Sequence, residues 1–253
     1  MDKILNKESS VTHIHLSSIH FGIDEKYNKY IHLNDYEPTN KIFDKVWEQL
    51  NIAKQLGIEI ILMIGGAGGA FTDLFSDFNY YYGLLYNLLK EKTVITGIDL
   101  DIEESASLDN VKMLIRKIKN DFPHFEISLA PVQYDLQNDS PGMGGFVYKD
   151  LYKSEEGKLI DYFNGQFYSD FSSDSYDQVI ENGYPSNKIV IGMISSQDFT
   201  NVKKELGKIF SKYKDKFGGV FIWEYFDAPD NWSEDIAELI IDICFENYQC
   251  AIN

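Results

Sequence analysis

Arginine, cysteine and positive charge are the features that this sequence has least of. Arg116 is its one arginine, and 23 basic against 40 acidic residues leave a formal net charge of −17 at pH 7. A chain this acidic repels nucleic acid and anionic membrane surfaces, so we expect neither as a partner. The two cysteines, Cys244 and Cys250, lie near the C-terminus, and their spacing leaves a disulfide and two free thiols equally open.

Long apolar runs are also missing. No stretch approaches the roughly 18 apolar residues of a membrane span. The first residues, MDKILNKESSVTH, contain no apolar region of the kind that signal peptides carry. The sequence therefore predicts no membrane association, and it leaves the cellular location and the oligomeric state open.

Short apolar runs alternate with helical patterns along almost the whole chain. The sequence predicts seven strands, at residues 12–17, 58–64, 94–102, 125–130, 162–168, 189–194 and 220–223. Helical patterns lie at residues 42–56, 80–89, 111–118, 176–182, 202–213 and 236–245. This alternation predicts an α/β fold with a parallel sheet, either doubly wound or a barrel with one strand unread.

The segment GIDLDIEES, residues 97–105, places three carboxylates at alternate positions. Successive side chains of a strand point to opposite faces, so Asp99, Asp101 and Glu103 would share one face about 6–7 Å apart from one to the next. Like charges this close raise one another's pKa, and the intervening aliphatic residues indicate a buried strand. A solvent-exposed acidic strand or loop without a functional role is one alternative. A Mg²⁺ or Ca²⁺ site is another, although Glu104 lies on the opposite face.

Polar residues and glycines gather after the predicted strands, which in a barrel is the face that carries the active site. They are Gly65, Gly66, Asp101, Glu103, Gln133, Tyr168 and Glu224. The run GGAGGAF at 65–71 lacks the lysine of a phosphate-binding loop, so its glycines favour close approach of some other ligand over a nucleotide. His13 and His15 alternate while His20 is out of phase with them, which favours polar core or rim positions over a metal site.

These motifs resemble glycoside hydrolase family 18, the chitinases and their relatives. Residues 97–103 are similar to the family pattern D-G-x-D-x-D-x-E, with Thr96 in place of the first Asp. The segments ILMIGG (61–66), SLAP (128–131), GQFY (165–168), IGM (191–193) and GGVFIWEY (218–225) resemble further family strands in the family's order, with Met63 at a serine position. The GQFY segment is similar to the Q-F-Y form of plant-type and bacterial chitinases. The resemblance covers about residues 12–245 and implies one TIM (β/α)₈ barrel domain over residues 1–253.

The resemblance also implies that the first barrel strand is short, substituted or missing. THIHLSSIHFG at 12–22 resembles the second family strand, and only about eleven residues precede it. Either residues 2–6 supply a short substitute or the barrel lacks a strand. A missing strand would expose two sheet edges, which is an aggregation liability unless they are covered.

The mechanism implied by the resemblance is retaining, substrate-assisted hydrolysis of β-1,4-linked N-acetylglucosamine in chitin-type glycans, without metal or cofactor. Glu103 would be the general acid and base, Asp101 would hold the acetamido N–H, and Asp99 would share a proton with Asp101. Tyr168 would hydrogen-bond the acetamido group. The sugar-binding positions would be Trp223, Gln166, Gln133, Met193, Gly65 and Gly66.

Three other functions remain open at this point. An endo-β-N-acetylglucosaminidase acting on N-glycans would use the same residues. A catalytically inactive chitinase-like lectin is compatible with Thr96 and the short N-terminus, although such lectins usually lose the acid that Glu103 retains. A metal-dependent α/β enzyme would lose activity with a chelator. A glycan substrate of this class implies a secreted or extracellular protein.

Overall fold

The structure, a computed structural model, describes residues 4–5 and 10–250, with side chains as far as residue 243. The strands are β1 His13–Ile23, β2 Lys29–Leu33, β3 Glu59–Gly65, β4 Gly97–Asp101, β5 Glu126–Leu129, β6 Tyr162–Gln166, β7 Ile189–Ile194 and β8 Gly219–Trp223. The helices are α1 Asp44–Gln55, α2 Phe71–Ser76, α3 Phe78–Glu91, α4 Leu108–Asp121, α5 Gln133–Gln137, α6 Tyr148–Lys153, α7 Ser173–Glu181, α8 Phe199–Tyr213 and α9 Trp232–Cys250. The side chains of Cys244 and Cys250 lie outside the described residues.

The sheet follows the order β2-β1-β3-β4-β5-β6-β7-β8. Its strands pair in parallel from β1 to β3 and onward to β8, and each of the seven predicted strands is present. Side chains from β1, β4 and β6 meet inside, since Tyr162 and Asp99 both contact His15. A flat sheet would hold these strands far apart, so the sheet is rolled, and the TIM-barrel prediction is confirmed.

Strand β2 is an addition that the sequence reading missed. It pairs antiparallel with the second half of β1, from Ile19 opposite Leu33 to Ile23 opposite Lys29. The turn between them is built by Asp24, whose Oδ1 accepts the backbone N–H groups of Lys26 and Asn28 at 2.8 Å each. The segment KYIHL carries no clear apolar alternation, so only the pairing with β1 makes it a strand.

Local signals account for the helices that flank the carboxylate strand. Helix α4 begins after Ser107, whose Oγ accepts the N–H of Asn110 at 3.1 Å. This N-cap starts the helix three residues before the predicted 111–118. Its buried side chains follow helical spacing and pack on the sheet: Val111, Leu114, Ile115 and Ile118. The core therefore lies between the sheet and the surrounding helices.

The space between β1 and β8 is where the resemblance implied a short, substituted or missing strand. Among the residues that the structure describes, no backbone pairing joins these two strands. β8 is half-buried along its length, whereas β3 is almost fully buried. Of the predicted substitute at residues 2–6, only Ile4 and Leu5 are described; they form a turn and bend, and Ile4 is buried against the core. Strand β2 covers the far edge of β1 only from Ile19 onward.

Within the described ranges, no helix has the length and apolarity needed to cross a membrane.

Candidate active site

The three carboxylates of β4 and its C-terminal extension line one cavity of about 1180 Å³. Asp99 lies opposite Met63 on β3 and Ser128 on β5, and Asp101 lies opposite Gly65. Ile98 and Leu100, at the intervening positions, belong to the apolar core on the other face. The strand alternation predicted from GIDLDIEES is therefore present, and it aims the acids into the barrel interior.

Asp101 is the acid of the cavity whose pKa its surroundings raise. Its side chain is 6% exposed, and burial, followed by the charges of Asp99 and Glu103, raises its pKa to about 8. Gln166 opposes this shift by donating from Nε2 to Oδ1 at 3.1 Å, and the same amide donates to the carbonyl of Ala130 at 2.7 Å. Asp101 therefore carries a proton at neutral pH while its orientation stays fixed.

Asp99 lies one step deeper in the barrel and is 1% exposed. Its Oδ1 accepts hydrogen bonds from Ser128 Oγ at 2.5 Å and Asn164 Nδ2 at 3.2 Å. These donors come from β5 and β6, so three adjacent strands hold one carboxyl group in place. Ser128 lies in the SLAP segment, and Asn164 alternates with Gln166 along β6; this alternation was the signal that could have identified Asn164.

The positive φ angles at residues 65 and 66 and their close approach to Asp101 both require glycine at these positions. Their φ angles are +94° and +80°, a region that other residues rarely adopt. A Cβ on Gly65 would lie 2.3 Å from the Asp101 carbonyl oxygen, and one on Gly66 would lie 3.2 Å from Asp101 Oδ2. The Gly66 N–H donates to the Asp101 carbonyl at 2.9 Å. Both glycines line the cavity and allow β3 to approach the acid closely.

Glu103 and Glu104 follow β4 and point in different directions. Glu103 is half-buried and lines the cavity. Glu104 turns to the loop after β3, where it accepts the N–H groups of Phe71 at 2.6 Å and Thr72 at 3.2 Å, and it also bonds the Ala70 N–H and the Thr72 hydroxyl. Burial raises the Glu104 pKa, but these bonds outweigh it and leave the pKa lowered. Glu104 thus ties the strand end to the glycine loop.

Tyr168 and Trp223 also line the cavity. Burial and the nearby charges of Asp101, Asp99 and Glu103 raise the Tyr168 pKa far above its ordinary value, so the phenol stays neutral and can donate a hydrogen bond. Its ring meets Phe221 edge-on at 6.4 Å. Trp223, the last residue of β8, is 37% exposed, and an aromatic face of this kind can stack on a sugar ring.

Gln133 and Met193 are not brought into the cavity lining. Gln133 starts α5 and donates from Nε2 to Ser175 Oγ at 2.8 Å, so it packs toward α7. Met193 is buried in the apolar core. On β7, Val190 lines the cavity, and a residue three positions further along a strand faces the opposite side.

The histidines of β1 lie differently from the prediction. The register between β1 and β3 shifts between Leu16 and Ile19, which corrects the phase that the sequence reading assigned to His20. His13, His15 and His20 consequently all line the cavity. Across the described part of the chain, no group of three or more His, Cys, Asp or Glu side chains forms a metal site.

Thr96, the residue that departs from the D-G-x-D-x-D-x-E pattern, lies just before β4. Its Oγ1 accepts the N–H of Ile60 at 3.0 Å and donates to the Ile60 carbonyl at 3.2 Å. Thr96 therefore continues the pairing between β3 and β4 and lies outside the acidic cluster.

Comparison with known proteins gives the following similarities. No protein-family model matches the chain. Endochitinase A of Emericella nidulans is 28% identical over 176 residues, a match that covers 59% of this chain. The chain spans only 18% of the length of that curated relative.

Two solved structures match over nearly the whole chain. A fungal endo-β-N-acetylglucosaminidase from glycosyl hydrolase family 18 is 30% identical with a TM-score of 0.80, covering 94% of this chain and 88% of that one. A chitinase from Aspergillus fumigatus is 27% identical with a TM-score of 0.79, covering 90% of this chain and 88% of the other. Similarity of sequence and similarity of fold therefore both extend over most of the chain.

Proposed function

The chain belongs to glycoside hydrolase family 18, and on that premise we propose that it hydrolyses β-1,4-linked N-acetylglucosamine polymers or oligomers of the chitin type. The observation that carries this proposal is the row of three carboxyl groups along the cavity, with Asp101 protonated at neutral pH and Glu103 half-buried in the lining. A carboxyl group that keeps its proton at neutral pH, next to two further carboxyl groups, is an arrangement suited to acid–base chemistry.

The reaction would proceed with assistance from the substrate. Glu103 protonates the glycosidic oxygen while the 2-acetamido carbonyl oxygen of the sugar attacks the anomeric carbon, so the bond to the leaving group breaks and an oxazolinium ion forms. Water then adds to the anomeric carbon while the bond from that carbon to the acetamido oxygen breaks, which restores the acetamido group, and Glu103 takes the proton of the water. Because the anomeric carbon is inverted twice, the product retains its configuration.

The neighbours of Glu103 would orient the acetamido group. Protonated Asp101 directs its O–H toward Asp99 and keeps an oxygen that accepts the acetamido N–H. Tyr168 donates its hydroxyl hydrogen to the acetamido oxygen, and Trp223 stacks under the ring. Gln166 acts by holding Asp101 rather than by reaching the sugar, which its 3.1 Å bond to Oδ1 supports. This scheme requires neither a metal ion nor an organic cofactor.

The test is hydrolysis of a fluorogenic chito-oligosaccharide by wild type and Glu103→Gln. Loss of the general acid should lower kcat/KM by about two orders of magnitude or more. Glu155→Gln is the matched control, because Glu155 is an exposed glutamate bonded only to Lys158 in the described contacts and lies outside the cavity lining. Equal activity of wild type and Glu103→Gln would refute the assignment.

An endo-β-N-acetylglucosaminidase acting on N-glycans is the second candidate. It is favoured by the 30% identity with the fungal enzyme of that name, which covers 88% of that chain. Parallel assays on a chito-oligosaccharide and on an N-glycosylated peptide separate the two substrates. Binding of either glycan without turnover would instead identify a lectin.

We further propose that residues 1–253 form a single catalytic domain, which one continuous sheet and one large cavity support. A neutral glycan is the expected partner, and the net charge of −17 disfavours nucleic acid and anionic membranes. A polymeric substrate of this class implies that the protein acts outside the cell. Fractionation of cells and medium tests this location.

A further inference from the structure

His15 lies beside the buried acids on the wall of the cavity. It projects from β1 into the cavity, and its Nδ1 lies 3.7 Å from Asp99 Oδ2. That distance is within ion-pair range and too long for a hydrogen bond. The side chain of His15 is 24% exposed, whereas that of Asp99 is 2% exposed. His15 is therefore the more solvent-accessible member of this pair.

The second oxygen of Asp99 depends on His15. Ser128 and Asn164 both bond to Oδ1, which leaves Oδ2 facing the imidazole. On β3, the strand between β1 and β4, the residue opposite Asp99 is Met63, which offers only a weakly polar thioether. Among the described residues, His15 is the one basic side chain in contact with Asp99.

Two other groups face His15. Glu126 bonds to His13, with His13 Nε2 3.1 Å from Glu126 Oε2, and the charge of His15 makes a smaller contribution to the lowered pKa of Glu126. Tyr162 on β6 has its hydroxyl 3.3 Å from His15 Nε2. Asp99 is the acid within ion-pair distance of His15 among the described contacts.

From this geometry, and resting on the proposed hydrolase function, we propose that His15 is a positioning residue whose imidazolium form holds Asp99 as a carboxylate. With Asp99 charged and accepting, the proton that the two acids share stays on Asp101. Asp101 then keeps the orientation in which its other oxygen meets the acetamido group of the substrate. No bond is made to the substrate by His15 itself.

The test compares His15→Gln, His15→Lys and His124→Gln with wild type on whichever N-acetylglucosamine substrate wild type cleaves. His15→Gln should lower kcat by about tenfold or more, because a fixed charge next to the reacting groups is removed. KM should stay within about twofold, since His15 does not touch substrate. His15→Lys keeps a cation facing Asp99 and should recover most of kcat, while His124→Gln, at an exposed histidine outside the cavity lining, should leave kcat unchanged.

A second measurement tests whether free imidazole can replace the missing side chain of His15. His15→Ala opens space beside Asp99, and added imidazole should restore kcat in a saturable manner, whereas Glu103→Gln should not respond. Melting temperatures of all variants show whether each one is folded. Unchanged kcat in folded His15→Gln, or equal loss in the Gln and Lys variants without imidazole rescue, would overturn the role of His15 while leaving the hydrolase intact. Absence of turnover by wild type on every N-acetylglucosamine substrate would overturn the proposed function and this role with it.

Discussion

Replacement of Asp101 by asparagine should stabilise the protein while abolishing its activity. Burial and two neighbouring carboxylates raise the pKa of Asp101 from an ordinary value of 3.8 to about 8. Between these pH values the folded protein holds a proton on Asp101 that the unfolded chain releases. Stability is therefore highest, as far as this group contributes, below pH 3.8, and it is lost as pH rises toward 8.

The size of the effect follows from the same pKa values. Each pH unit between them costs about 1.4 kcal/mol, so at pH 7 the wild-type protein has lost up to ~4 kcal/mol through this group. Asparagine has nearly the same shape and no proton to lose. The free energy of unfolding of Asp101→Asn, relative to wild type, should therefore rise with pH from about 4 to 8 and level off outside that range.

Urea unfolding followed by tryptophan fluorescence at one-unit pH intervals measures this difference. Asp215→Asn, which removes an exposed carboxylate that is not part of the cavity lining, controls for the general loss of one negative charge. The activity of Asp101→Asn on the chito-oligosaccharide is measured on the same samples. A relative stability that is constant from pH 4 to 8 would refute the assignment of a proton to Asp101.

Two further predictions concern the loop that holds Asp101. Gly65→Ala should lower the free energy of unfolding by about 2 kcal/mol or more, because the new Cβ would lie 2.3 Å from the Asp101 carbonyl oxygen. Gly57 also has a positive φ, but a Cβ there would have nothing within 4 Å, so Gly57→Ala should lower the free energy of unfolding by about 1 kcal/mol. Equal losses in the two variants would contradict the close-approach argument. Glu104→Ala should lower the free energy of unfolding by about 1–3 kcal/mol, because the N–H groups and the hydroxyl that bond to Glu104 lose their acceptor. The same variant should lower kcat, because Glu103 is the adjacent residue and would move with the loop. Thermal melts and initial rates check both effects, and a variant as stable as wild type would show that water replaces Glu104 without cost.

The acidic row was predictable because a strand period is a local property. Asp99, Asp101 and Glu103 lie two residues apart, so any strand places them on one face, and burial by the flanking aliphatic residues follows from composition. The same reasoning placed Gln166, the last residue of β6, and Tyr168, two residues beyond the strand, on the cavity side. The helices α1, α3, α4 and α8 were recognisable for the equivalent reason, because their apolar spacing repeats within one segment.

Positions beyond the strand ends were less predictable. Gln133 lies four residues after the end of β5, where the chain turns into α5 and directs the Gln133 amide toward α7. Met193 was predicted to bind the sugar because it lies in the IGM segment. It comes three residues after Val190, which lines the cavity, so it lies on the opposite face of β7. The phase of His20 depends on a register shift inside β1 that no composition pattern marks. Strand β2 exists only because β1 offers it a pairing edge.

The sequence by itself determined that a parallel α/β sheet would carry a buried row of acids, because alternation, apolar spacing and helix caps act between residues a few positions apart. Tertiary structure alone decided which partners those acids have. His15, Asp99 and Tyr162 come from three strands separated by up to 147 residues, and their meeting depends on how the sheet rolls and where it stays open. Short-range sequence patterns therefore specified which acidic side chains share one face of β4. The rolling of the sheet specified which residues surround these acids and so set the protonation of Asp101.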